Sequence, residues 1–164
     1  MDAAAIHQRL KARFGDQVGD CDLQGHDPAI RVVPAAIADV SRFLRDESDL
    51  RFDSLSNETG VDYKARNAIE VVYHLYSYKH RHAIVLKVDA VRDNPLVPTV
   101  EHVWKAANWL EREIYDLLGV TFEGHTDLRR LLMPEDWVGY PLRKDFVEPE
   151  MYHGISTRRE SLLK

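Results

Sequence analysis

Apolar positions along this chain switch period several times, and each switch predicts an element. Over residues 3–14, Ile6, Leu10 and Phe14 recur at helical spacing, and Gly15 stops the run. Residues 29–33 form a short β-branched stretch that predicts a strand. Pro34 suits a first helical position, and Ile37, Val40, Phe43 and Leu44 line one face of a helix ending near Asp46. Residues 52–55 read as a short strand, followed by a polar turn over Ser56, Asn57, Glu58, Thr59 and Gly60. The strongest strand signal is residues 69–78, rich in β-branched and aromatic side chains. A turn at Lys79, His80 and Arg81 leads to its hairpin partner, residues 82–88.

Asn94, Pro95 and Pro98 break the sheet pattern, and Thr99 is placed to cap a long helix over residues 100–118 closed by Gly119. Its core stripe is Val103, Ala107, Leu110, Ile114 and Leu117, while Lys105, Trp109, Arg112 and Asp116 share a second face. A solvated face with an Arg112–Asp116 pair would explain the charges but not Trp109 at its centre. Aromatic and arginine side chains together suit a surface that meets a partner. Two helices followed by clustered strands predict an α+β fold, a two-layer sandwich of a mixed or antiparallel sheet with helices. An α/β domain over residues 1–118 is then followed by an extended C-terminal docking arm over residues 119–164.

Residues 124–146 are too apolar for a disordered tail and too broken by Gly and Pro for a regular element. Asp127, Arg129, Arg130, Arg143, Lys144 and Asp145 alternate with apolar anchors such as Leu131 and Trp137. The segment must pack on something: either it docks on a neighbouring chain or it folds back over its own sheet. Pro141 gives Arg143 a rigid lead-in, which suits a bidentate grip on a partner's carboxylate.

Composition narrows the function. A chain of 164 residues with 45% hydrophobic content forms one domain, and a net charge of −5 disfavours nucleic acid as the main ligand. Cys21 is the sole cysteine, so there is no internal disulfide and no thiolate quartet for zinc or an iron–sulfur cluster. No window approaches a bilayer-spanning run, the first residues lack an apolar signal region, and no glycine-rich nucleotide loop follows a strand. Glu111, Glu113, Asp116 and His125 lie close in sequence, as an acid–base hydrolase would need. Glu111 and Glu113, however, are about 200° apart on a helix, and His125 has no nucleophile beside it. His80 and His82 form an H-x-H pair lacking an evident third metal ligand. No catalytic, cofactor or metal residue is therefore assigned.

Residues 111–120 (EREIYDLLGV), 124–130 (GHTDLRR) and 139–146 (GYPLRKDF) resemble the signature of the C-type subunit of NADH-quinone oxidoreductase, the 30-kilodalton-type subunit of respiratory complex I. The likeness runs upstream to about residue 52. Thr126 stands where that family usually has Pro, Tyr140 where it often has His, and Leu118 where it often has Phe. The resemblance implies a cofactor-free subunit of the hydrophilic arm, on the cytoplasmic or matrix side of the membrane. It would lie beside the D-type, quinone-site subunit and neighbouring Fe-S subunits, with FMN and Fe-S clusters held by those partners. The homologous subunit of a membrane-bound hydrogenase or a ferredoxin-linked quinone reductase would play the same part beside another electron donor. The interface candidates are Lys105, Trp109, Arg112, Asp116, His125, Asp127, Arg129, Arg130, Trp137, Arg143, Lys144 and Asp145.

Overall fold

Where apolar residues alternate, the chain pairs into one sheet. The computed structural model describes residues 1–25 and 27–158. It opens with α1 (Ala3–Phe14), capped by the Asp2 carboxylate on the Ala5 N–H and ended by Gly15. Then come β1 (Val18–Asp22), β2 (Ala29–Val32) and, after a single turn started by Pro34, α2 (Ile37–Asp46). β3 (Ser54–Tyr63), β4 (Ala68–Ser77) and β5 (His82–Val91) follow. In space the order is β1-β2-β5-β4-β3, with β2 and β5 parallel and the other neighbours antiparallel. A mixed sheet results.

The helices cover one face. Ile69, Val71, Tyr73 and Leu75 of β4 and Ile84, Leu86, Val88 and Ala90 of β5 join Ile6, Leu10, Ile37, Val40 and Leu44 in a continuous core. On the other face the buried apolar residues among those described form only a small cluster, Ala29, Val72 and Val85. These two layers are the α+β sandwich the sequence predicts.

One strand had no expectation, and two expectations needed correction. β1 is an edge strand in which only Val18 is fully buried and an irregular register separates it from Cys21, so it gives no alternating signal. The stretch 56–60, read as a polar turn, is the middle of β3: Glu58 faces Tyr73, Thr59 faces Val72 and Gly60 faces Val71. Backbone pairing with β4 holds that strand although its inward positions after Leu55 are Glu58, Gly60 and Asp62. Helical structure also starts late. α3 is Ala107–Leu118, and residues 100–106 form turns in which the Val103 and Trp104 N–H groups share the Val100 carbonyl. Trp104 is pulled into the core and donates its indole N–H to the Phe52 carbonyl at 2.9 Å, which anchors these turns to the core ahead of the helix. Thr99 accordingly caps the Glu101 N–H at the turn rather than the start of α3.

β6 (Leu96–Pro98) leaves the main sheet and pairs in parallel with β7 (Thr121–Glu123), directly after α3. α3 lies on β3, close enough that a Cβ on Gly60 would run into Leu118 and Ile114. Beyond β7 the chain crosses α3 and ends in a small hairpin of β8 (Met151–Tyr152) and β9 (Ile155–Ser156). The last part of the expected arm, residues 159–164, lies outside the described residues.

Gly119 joins α3 to this returning segment. Its φ of +75° is left-handed, and the Tyr140 ring occupies the place where a Cβ would point. Gly119→Ala should cost about 2 kcal/mol, from left-handed strain and displacement of the ring. Urea unfolding measures it, and a loss below about 0.5 kcal/mol would contradict this packing.

Candidate functional site

The site is built on α3, whose buried end is charged. Asp116 has no exposed surface. Its Oδ2 accepts the N–H groups of Leu131, Leu132 and Met133 at 3.0, 2.7 and 2.8 Å. Arg130 Nη1 donates to Asp116 Oδ1 at 2.7 Å, and Nη2 reaches the carbonyls of Trp137 at 2.9 Å and Gly139 at 3.2 Å. Consecutive N–H groups converging on one oxygen make an anion nest. Burial works to raise the Asp116 carboxyl, but the Met133 N–H, Arg130 and the Leu132 and Leu131 N–H groups outweigh it and hold it below the usual range.

A second set of contacts ties down the next stretch. The Leu142 N–H donates to the Leu117 carbonyl at 3.0 Å and Arg143 Nε to the Leu118 carbonyl at 2.7 Å, satisfying groups left open at the helix end. The Arg143 guanidinium lies over the Tyr140 ring at 4.8 Å. Arg92, just beyond the end of β5, then grips two carboxylates with one planar fork. It meets Asp62 at 2.6 and 2.9 Å and Asp145 at 3.0 and 2.5 Å. The Lys144 N–H adds a 2.8 Å bond to Asp62. The Arg92 fork, with this N–H, holds the Asp62 carboxyl below its usual range against the opposing effect of burial.

At the other end of α3, Glu111 is fully buried and accepts the Thr99 hydroxyl at 2.5 Å and the Val100 N–H at 2.7 Å. Glu101 accepts the Asn108 amide at 2.7 Å and the Thr126 N–H at 2.8 Å, an N–H that a proline there would not supply. His125 sits between these carboxylates, its Nε2 3.6 Å from Glu101 and 3.9 Å from Glu111 and bonded to the Asn108 carbonyl at 3.0 Å. Each of these groups is engaged in holding the turn before α3.

The structure thus sorts the candidate residues. Lys105 and Trp109 are exposed, as the partner-facing reading requires of them, and line a surface groove with Glu101 and Thr126. Arg112 and Asp116, expected on that outward face, are instead buried, because the returning segment covers them. Asp116 pairs with Arg130, not Arg112, whose guanidinium stacks under Trp109 at 4.9 Å and reaches the Arg129 carbonyl. Arg129 and Asp127 pair with each other at the surface. Trp137 is half-buried against Phe146 and Tyr152. Arg143 donates Nε to the carbonyl at its own helix end, and Asp145 is paired with Arg92; Lys144 keeps its side chain exposed. Glu113 is exposed and shares no site with Glu111, and His80 and His82 each bond a backbone carbonyl. Sequence reading missed Arg92, Asp62, Glu58 and Tyr73, since nothing local marks a charge that finds its partner 53 residues away.

The same chain path recurs in known proteins. The family described as "Respiratory-chain NADH dehydrogenase, 30 Kd subunit" matches residues 30–152. The C-type subunit of NADH-quinone oxidoreductase from Roseiflexus sp. (strain RS-1) is 48% identical over 147 residues, covering 88% of this chain and 84% of that protein. A chain of the membrane-bound sulfane sulfur reductase, an archaeal respiratory membrane complex, superposes with a TM-score of 0.68 at 27% identity, over 88% of this chain and 85% of that one. A trypsin-resistant fragment of Nqo5 does so with a TM-score of 0.60 at 27% identity, over 78% of this chain and all (100%) of that one.

Asp116→Asn keeps the shape but turns an amide donor toward Arg130 or the nest. The expected loss is about 3 kcal/mol, as for breaking a buried ion pair. Trypsin should also cut sooner within residues 124–146. Asp116 contributes stability above its unfolded-state value of 3.8, lost as pH falls through the lower folded value, so the variant should also show a shallower acid limb. Wild-type melting and cleavage would refute the nest.

Proposed function

Because the chain belongs to the family of the 30-kilodalton subunit of respiratory-chain NADH dehydrogenase, we propose that it is a cofactor-free core subunit of the peripheral arm of a proton-translocating NADH:quinone oxidoreductase. Its part is structural. FMN and the Fe-S clusters that carry electrons from NADH to quinone belong to partner subunits, chiefly the quinone-site subunit and the Fe-S subunits beside it. None of the described helices is long and apolar enough to cross a membrane, and we place the subunit on the cytoplasmic side, held there by its partners.

The observation that carries this reading is the outer face of the segment 124–158. Arg130 and Arg143 turn inward onto α3 and Asp145 onto Arg92, while Leu132, Val138, Leu142, Val147, Met151 and Ile155 are exposed among the segment's surface charge pairs, Val138 at 84% and Val147 at 85%. Exposed apolar side chains on a backbone already fixed from below suit docking, because little conformational entropy remains to be lost on binding. Trp109, 60% exposed above Arg112, extends this surface with the aromatic–arginine pairing common at interface centres. A second reading is favoured by the likeness to the sulfane sulfur reductase chain: the same structural part in a sister respiratory complex fed by a different electron donor.

The test is assembly. Trp109→Ala and Val138→Asp should each leave the free chain's unfolding free energy within about 1 kcal/mol, since both sites are exposed. Each should nevertheless lower intact oxidoreductase on a native gel, with a hot-spot loss of about 2 kcal/mol weakening association about thirtyfold. Full assembly of both variants would overturn the docking face. A tagged chain purified from membranes with no NADH-oxidising partners, but with another donor's subunits, would select the second reading.

A further inference from the structure

The inward face of β3 carries a carboxylate where an apolar side chain would be expected. Glu58 lies opposite Tyr73 of β4, and the two are only 3% and 0% exposed. Both Glu58 oxygens and the Tyr73 hydroxyl are buried without a hydrogen-bond partner. The titratable groups facing Glu58 are Tyr73 from β4 and Glu111 from α3. Farther along β3, Asp62 is committed to Arg92, while behind Glu111 stand His125 and Glu101. No cation among the described residues pairs with Glu58.

An ionised carboxylate there would lack water, donors and a counter-ion, and would face a second carboxylate. The two acids differ in one respect. Glu111 has two donors, the Thr99 hydroxyl at 2.5 Å and the Val100 N–H at 2.7 Å, which favour its charged form. Glu58 has none. We propose that Glu58 and Glu111 form an internal proton-binding site in which Glu58 keeps its proton at neutral pH. Two like-charged carboxyls release protons in separate steps that belong to the pair, and the donor-free member keeps its proton longest. Burial, and then the Glu111 charge, push the Glu58 carboxyl well above its ordinary range; burial also raises Glu111, to about 7.

The site bears on packing. Glu58 is two residues from Gly60, where α3 rests on β3, so ionising both acids would set like charges across that contact. The folded chain binds a proton that the unfolded chain releases once pH exceeds 4.5, the ordinary value for a glutamate. As pH rises from there, the folding constant should fall by up to about tenfold per unit.

Carbon-13 NMR of the full chain, labelled at glutamate Cδ and titrated from acid to mild alkali, tests this. The Glu58 resonance is the one absent from Glu58→Gln; should that variant not fold, sequential assignment of the wild type identifies it. The resonance should keep its protonated position at neutral pH. Glu111→Gln removes the facing charge and should move the Glu58 midpoint to lower pH. Glu58→Gln should remove the Glu58 part of the loss of folding as pH rises above 4.5 while preserving the acid limb set by Asp116 and Asp62. A Glu58 resonance titrating in the ordinary carboxylate range, or a midpoint unmoved by Glu111→Gln, would overturn the proposal.

Discussion

A carboxylate with no exposed surface persists only where donors replace all the water it gives up, and Asp116 sets that condition for the C-terminal third of this chain. Three consecutive backbone N–H groups and one guanidinium meet it, and all four belong to residues 130–133. The requirement fixes where the chain must cross α3. Arg130, held by Asp116, then collects the Trp137 and Gly139 carbonyls, Tyr140 settles on Gly119, and Arg143 closes the helix end. Arg92 finishes the sequence of contacts by joining β3 to Asp145. These inward polar groups are used up inside, and exposed apolar side chains such as Val138 and Val147 stand among the charge pairs left outside.

The chain carries buried carboxylates of two kinds, and donors distinguish them. Asp116 and Asp62 are surrounded by N–H groups and guanidinium, which hold them ionised despite burial. Glu58 is as deeply buried but has no donor, and burial drives it toward the neutral acid. Burial alone therefore does not fix the sign of a pKa shift; the number of donors aimed at the charged form decides it. Acid should loosen the first group, while the second loses stability as pH rises above 4.5, the ordinary value for a glutamate, which places greatest stability between the two limbs.

Much of the fold was legible from period alone. α1, α2, β4 and β5 carry clean apolar repeats, and the helix-ending glycines Gly15 and Gly119 both stand where expected. The start of β3 fell within the strand expected at residues 52–55, but the rest was hidden because its inward positions hold Glu58, Gly60 and Asp62, residues that pack through a proton, a helix contact and an ion pair rather than through apolar area. The late start of α3 was hidden because Trp104 and Glu111 act on the turn from a distance. For the site, periodicity placed Trp109 and Lys105 outward correctly. It placed Arg112 and Asp116 there too, since a helical wheel holds no information about a later segment that covers one of its faces. The choice between docking on a neighbour and folding back also proves to be no choice at this segment's inner face, which is folded back; the proposed docking belongs to its outer face.

The central claim is that the segment after β7 is part of the subunit's own rigid body before any partner arrives. Amide hydrogen exchange of Leu131, Leu132 and Met133 in the free full-length chain measures this most directly. The account predicts that these three amides exchange nearly as slowly as those of β4, and that Asp116→Asn releases them together while β4 stays protected. Exchange at open-chain rates in the wild type, with protection gained only in the assembled complex, would contradict it.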